Sequence, residues 1–98
     1  MAKYVFIYKG GTMPEGEEEQ KQVMDAWMSW LGDLGDSVVD AGNPFGASTS
    51  VGNGATSGLG GYSIVNAGSL DDAAAKAQSC PILRDDSGSV EVYEALPM

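Results

Sequence analysis

The sequence predicts an α+β domain in which two helices cover one face of a four-stranded antiparallel sheet. Three observations predict it: strand-like runs at residues 3–9 and 90–95, a long helical repeat after the first run, and a short capped helix before the second.

Residues 3–9 are rich in β-branched and aromatic side chains, which suit a strand. Aromatic and aliphatic residues alternate along it, in the order Tyr4, Val5, Phe6, Ile7 and Tyr8. Both faces are therefore apolar, whereas one helical layer covers only one of them. We expect the aromatic face to be exposed and to bind a second subunit, with a wholly internal second layer as the alternative.

Pro14 and a run of four glutamates predict the start of a long helix, because acidic side chains favour the positive end of the helix dipole. Apolar residues then recur at spacings of three and four up to Gly35, the predicted C-cap: Val23, Met24, Trp27, Met28, Leu31 and Leu34. Its tryptophan and methionines could form a ligand-binding stripe, but we expect the whole stripe to be core. Trp30 lies toward its edge, where a partner could contact it.

Residues 37–41 and 62–67 predict the next two strands. Between them, a glycine- and serine-rich stretch at about 46–60 has too few apolar side chains to order itself, so we expect a flexible loop. Its glycines resemble a phosphate-binding loop only superficially, because a strand and not a helix follows them.

Ser69 and Asp72 form a predicted capping box, and Pro81 ends the helix that begins there. One face of this helix has small residues that allow close packing on a sheet: Ala73, Ala74, Ala77 and Cys80. Residues 90–95 predict the last strand, after an acidic turn at 85–88 that lacks the ligand repeat of a calcium loop.

In the last strand Glu91 and Tyr93 alternate with two valines. If the valines face the helices, Glu91 and Tyr93 face the dimer cavity or its rim, where the glutamate would pair with a lysine or meet water. The complete order is strand, helix, strand, strand, helix, strand, which is the ferredoxin-like βαββαβ pattern.

The composition limits the possible partners. Ninety-eight residues predict a single domain, 1–98, with a thin core that association would supplement. A net charge of −9 argues against binding to nucleic acid or anionic membranes. One cysteine cannot form an internal disulfide, and no apolar run is long enough to span a membrane, so we expect a cytoplasmic protein.

Six segments, in this order and spacing, resemble the YCII-related family: Lys-Tyr-Val-Phe-Ile-Tyr-Lys at 3–9, Gly-Asn-Pro-Phe-Gly-Ala-Ser at 42–48, Gly-Tyr-Ser-Ile-Val at 61–65, Ser-Leu-Asp-Asp-Ala at 69–73, Cys-Pro at 80–81 and Gly-Ser-Val-Glu-Val-Tyr-Glu at 88–94. The resemblance spans nearly the whole chain. It implies a homodimeric α+β barrel in which two sheets pack face to face.

The sequence signatures that some members of the family carry for catalysis are not fully present in this chain. Some members of the family are associated with a His-Asp pair proposed for acid–base work, and some carry Asp-Gly-Pro-Phe, whereas residues 42–45 here read Gly-Asn-Pro-Phe. The chain has no histidine, which excludes Ser-His-Asp and Cys-His sites and removes the commonest transition-metal ligand. We expect no metal and no cofactor. Cys80 has no basic neighbour in sequence, so we expect a packed, inert thiol.

The predicted ligand cavity is lined by residues of the first strand, the second strand and its following segment, and the last strand: Tyr4, Phe6, Tyr8, Asp40, Pro44, Phe45, Ser48 and Tyr93. Asp40, with Tyr8 and Ser48 as partners, is the candidate acid or base, because an apolar cleft shifts proton affinities. Ordinary hydrogen bonding at strand ends is the simpler interpretation.

The residues support two functional hypotheses. The first is a homodimer that binds a small apolar or aromatic metabolite between its sheets, with lyase, isomerase or hydrolase activity left open. The second is a non-enzymatic interaction or regulatory module in which the same face only joins two subunits. An open cavity with converging polar groups would favour the first, and a filled interface the second.

Overall fold

The computed structural model describes residues 2–11, 14–84 and 86–97, and within them two helices lie on one face of a four-stranded antiparallel sheet. The elements are β1 (Ala2–Lys9), α1 (Glu17–Leu34), β2 (Val38–Asp40), β3 (Leu59–Ala67), α2 (Leu70–Ala77) and β4 (Ser89–Ala95), with 3-10 turns at Gly35–Ser37 and Pro81–Arg84. The strand order β2-β3-β1-β4 is that of the predicted βαββαβ pattern. The predicted fold of the single chain is therefore confirmed.

The helices cover the aromatic side of β1. Tyr4, Phe6 and Tyr8 are all buried, and Phe6 has no exposed surface. The expectation that this face is open to a second subunit is therefore wrong. Alternation along a strand shows that two faces exist but not which one the helices cover. Here the larger aromatic side chains bury more apolar area against the two tryptophans of α1.

Neither described helix packs on the opposite side of the sheet, where the Phe45 ring of the segment after β2 stacks on Tyr62. Cross-strand pairing places Val5 of β1 beside Ile64 and Tyr93, and Ile7 beside Tyr62. Because paired residues share a face, these side chains form one surface. We call it the open sheet face and define it as Val5, Ile7, Tyr62, Ile64 and Tyr93.

A small polar network borders the open sheet face. Lys9 Nζ lies 2.9 Å from Glu91 Oε2, and the Tyr93 hydroxyl donates a hydrogen bond to the same carboxylate. These two contacts lower the pKa of Glu91, the tyrosine hydrogen bond most. Glu91 therefore shares a face with Tyr93 and pairs with a lysine, which is one of the two alternatives left open by the sequence.

α2 begins at the predicted cap. The Ser69 hydroxyl accepts a hydrogen bond from the Asp72 amide at 3.0 Å, while the Asp72 carboxylate accepts one from the Gly68 amide at 3.0 Å. Ala73 and Ala77 are buried on the side that packs against β3 and β4. Small side chains and a satisfied N-terminus therefore explain why this short helix packs on the sheet.

α1 is joined to the sheet by aromatic side chains. Trp30 is buried, its ring stacks on Phe6 at 6.2 Å, and its indole N–H donates to the Lys76 carbonyl at 3.3 Å. The expectation that Trp30 faces a partner is therefore wrong. Because Trp30 takes the central position, Met24 and Met28, which were expected in the core, are 55% and 69% exposed.

Candidate functional site

A cleft of about 840 Å³ opens between α1, the end of β1, the start of β3, residues 41–44 and the turn Pro81–Arg84. We call it the α1 cleft. Its volume is in the range that holds small organic ligands, roughly 300 to 1,000 Å³. Most of its lining side chains are apolar, and the principal ones are Tyr8, Val23, Met24, Ala26, Trp27, Met28, Leu31, Pro44, Pro81 and Ile82.

One wall of the α1 cleft combines a rigid ring with flexible side chains. Trp27 meets Tyr8 edge to face, with 4.8 Å between ring centroids, so both rings are held by packing. Met24 and Met28 stand beside them and are largely exposed. The methionine side chain is flexible, and its sulfur makes favourable contacts with aromatic rings. This wall therefore suits a planar apolar ligand.

The floor of the cleft carries a short chain of hydrogen bonds. The Tyr8 hydroxyl lies 2.8 Å from Ser63 Oγ, and Ser63 Oγ lies 2.6 Å from the carbonyl oxygen of Ala41. Ser63 is 1% exposed, so this chain is largely shielded from water. Burial disfavours the phenolate and raises the pKa of Tyr8 to about 12. Tyr8 is therefore a neutral phenol at physiological pH.

A second wall is formed by the segment that follows β2. The Asp40 carboxylate accepts a hydrogen bond from the Gly42 amide at 2.8 Å, which turns the chain. Gly42 has φ +77° and lies directly against the Tyr62 carbonyl, so there is no room for a side chain. Pro44 then pairs with Gly61 in an isolated bridge, which fixes this wall along β3.

The structure separates the predicted cavity residues. Tyr8 and Pro44 line the α1 cleft. Phe45 and Ser48 instead line a separate, smaller cavity of about 480 Å³, formed by residues 45–51 and 55–59. The Phe45 ring stacks on Tyr62 with 5.7 Å between centroids. Pro44, Phe45 and Ser48, which were predicted to line one cavity, therefore lie in two different cavities.

The remaining predicted residues do not meet Tyr8 in one cavity. Tyr4 and Phe6 are buried under the helices and do not line the α1 cleft. Tyr93 lies on the open sheet face, on the opposite side of the sheet from Tyr8. Asp40 is exposed, does not line the cleft, and makes its hydrogen bond to the turn at Gly42. That bond is the ordinary strand-end role that the sequence left open.

Several residues that line the α1 cleft are not among the cavity residues predicted from the sequence. Met24, Trp27 and Met28 were interpreted as core, although a pair of methionines one turn apart is itself a signal of an adaptable binding surface. Ser63 and Arg84 were missed because their positions depend on how β3 and the turn Pro81–Arg84 meet in space. No local pattern in the sequence contains that information.

Cys80 lies behind the cleft, next to the lining residue Pro81. It is 2% exposed, and burial raises the pKa of its thiol from 9.0 to about 11. A neutral thiol without access to solvent is a poor nucleophile. The sequence prediction of an inert thiol stays a prediction, for which these observations supply the physical reason.

We expect the Cys80 thiol to react slowly with Ellman's reagent at pH 8 in the folded protein. From the two pKa values alone, its thiolate population is about 100-fold lower than in the unfolded chain, and burial slows the reaction further. The rate is measured with and without denaturant, with Cys80→Ala as the blank. Equal rates in the two states would show a reactive cysteine.

Two further features concern only the residues that the structure describes. No group of three or more Cys, Asp or Glu side chains there is placed to hold a metal ion. Neither helix in that part of the chain is both long and apolar enough to cross a bilayer.

Comparison with known proteins agrees with the architecture. The family model described as YCII-related domain matches residues 2–98. Among solved structures, 5-chloro-2-hydroxyhydroquinone dehydrochlorinase (TftG) from Burkholderia phenoliruptrix AC1100, in complex with 2,5-dihydroxybenzoquinone, aligns with a TM-score of 0.60 and 19% identity. The alignment covers 95% of this chain and 93% of that one. A search of curated proteins found no matching relative.

Proposed function

Because this chain belongs to the YCII-related domain family, we propose that it binds a small apolar or aromatic molecule in the α1 cleft. The observation that carries this proposal is the cleft itself, about 840 Å³ in volume, with Trp27, Met24 and Met28 on one wall and a neutral phenol on its floor. Mostly apolar clefts with a few polar groups are the usual form of ligand sites. The proposed site lies under α1, not between two sheets.

The structural neighbour supports the ligand class. TftG was solved with 2,5-dihydroxybenzoquinone, so a protein of this fold binds a small ring compound. At 19% identity its dehydrochlorinase activity is not carried over to this chain. A ring of that size fits the volume and the aromatic wall of the α1 cleft.

Binding is better supported than proton transfer. Among the described lining residues, the titratable side chains are Tyr8 and Arg84. Tyr8 has a pKa of about 12 and arginine remains cationic, so neither accepts a proton at neutral pH. A general base needs a pKa near the working pH, and these two groups do not provide one.

A homodimer is the second part of the proposal. The open sheet face is apolar, and both described helices lie on the other side of the sheet. A chain of 98 residues has a thin core and gains stability by covering such a face. A second copy packed sheet to sheet would cover it and give the barrel that the family resemblance implies. The surface that joins the subunits is then distinct from the α1 cleft.

We expect small aromatic compounds, beginning with phenol and hydroquinone, to quench tryptophan fluorescence saturably. Trp27 lines the cleft, whereas Trp30 is buried in the core. Ala26→Leu places a larger side chain in the cleft and should weaken binding at least about fivefold, since a filled pocket excludes the guest.

Ser29→Leu is the matched control, because Ser29 is exposed on the same helix and does not line the cleft. It should bind as the unaltered protein does. Equal affinities for Ala26→Leu and Ser29→Leu, or no saturable quenching by any compound, would contradict the proposed site.

A further inference from the structure

The charges around the α1 cleft differ from those of the whole chain. The sequence has 14 acidic and five basic residues, yet none of the described lining residues is acidic and one, Arg84, is basic. Two of the other basic residues, Lys9 and Lys76, are in ion pairs. Arg84 makes no ion pair with any residue that the structure describes. A chain of net charge −9 thus presents a cation at this cleft.

The two hydrogen bonds on the cleft floor determine the acceptor toward which each hydroxyl proton points. Ser63 has one hydroxyl proton, and a carbonyl oxygen only accepts, so the Ser63 proton must point at Ala41. Ser63 Oγ then has only lone pairs left for Tyr8, and the Tyr8 proton must point at Ser63. The phenol oxygen of Tyr8 therefore presents lone pairs to the cleft and no proton.

We propose that the α1 cleft selects aromatic ligands that carry both a hydroxyl group, which donates to Tyr8 Oη, and an anionic group, which pairs with Arg84. This inference rests on the proposed function and narrows its ligand class to hydroxylated aromatic anions. The aromatic ring packs against Trp27 and the two methionines. A guanidinium binds a carboxylate through two parallel hydrogen bonds, which gives direction as well as attraction.

Tyr8 Oη can accept a hydrogen bond from a ligand but cannot donate one to it. An ether or carbonyl oxygen brought to Tyr8 would meet lone pairs and find no donor, so it would bind weakly. The raised pKa of Tyr8 supports the same assignment, because the phenol keeps its proton at neutral pH and continues to donate it to Ser63.

The test compares 2-, 3- and 4-hydroxybenzoate with benzoate, phenol and the corresponding methoxybenzoates, using tryptophan quenching and calorimetry. We expect at least one hydroxybenzoate to bind about tenfold more tightly than its methoxy analogue and than phenol. Its affinity should fall as salt is added, while that of phenol should not. Phenol binding without a preference for hydroxybenzoates would refute this inference and leave the proposed site intact, whereas no binding by any compound would refute both.

Variants separate the two contacts. Arg84→Gln should weaken hydroxybenzoate binding about tenfold more than it weakens phenol binding, and Arg84→Lys should recover part of the loss. Tyr8→Phe should remove the preference for hydroxy over methoxy compounds.

Ser63→Ala frees the Tyr8 proton to donate into the cleft, so methoxybenzoates should bind more tightly than they do to the unaltered protein. If Ser63→Ala leaves the ratio of hydroxy to methoxy affinities unchanged, the assigned proton direction is wrong.

Discussion

Phe6→Glu is expected to unfold the protein. Phe6 has no exposed surface, and its ring stacks on Trp30 between the sheet and α1. A glutamate there would lose the buried ring and place a carboxylate among apolar side chains without a partner. We expect the free energy of unfolding to fall by at least about 4 kcal/mol. Thermal denaturation followed by circular dichroism measures this loss.

Ile7→Glu is the matched control on the neighbouring residue of β1. Ile7 lies on the open sheet face, where a carboxylate points away from the helices. We expect this variant to keep its secondary structure and to disrupt the proposed dimer, which light scattering measures against the unaltered protein. A folded, monomeric Phe6→Glu protein together with an unfolded Ile7→Glu protein would show that the two faces have been assigned the wrong way round.

Gly42→Ala is expected to cost about 3 kcal/mol and to disturb the α1 cleft. Its φ of +77° is disfavoured for alanine, and an added Cβ would overlap with the Tyr62 carbonyl oxygen. The wall at residues 41–44 must then move away from β3. Chemical denaturation measures the loss of stability, and quenching by phenol measures the effect on the cleft.

Gly58→Ala controls for the backbone conformation. Gly58 has a similar φ of +68°, but nothing lies within 4 Å of the position a Cβ would take. We expect a cost of about 1 kcal/mol and unchanged ligand binding. Similar losses in both variants would mean that the contact with Tyr62 has no energetic importance.

The sequence predicted the elements because their signals are local. The Ser69 cap and the alternation of Glu91 and Tyr93 with valines each depend on a few neighbouring residues, and both are present in the structure. The strand order follows from the sequence of elements. The family resemblance agrees with the family model that matches residues 2–98.

The sequence did not predict which face of β1 the helices cover. Both faces are apolar, so their alternation does not distinguish them, and the choice depends on the fit of Phe6 and Tyr8 to the tryptophans of α1. The α1 cleft was missed for the same reason. Trp30 turns toward the core through its hydrogen bond to Lys76 and leaves Met24 and Met28 exposed, an outcome of packing between distant segments.

The most direct test of ligand binding in the α1 cleft is a ¹H–¹⁵N correlation titration that follows the two tryptophan indole N–H signals. On addition of phenol or a hydroxybenzoate, the Trp27 signal should shift saturably, because its ring lines the cleft. The Trp30 signal should stay nearly constant, because its N–H is bonded to the Lys76 carbonyl in the core. Saturable shifts confined to the amides of Val5, Ile7 and Tyr62 would place the ligand on the open sheet face and contradict binding in the cleft.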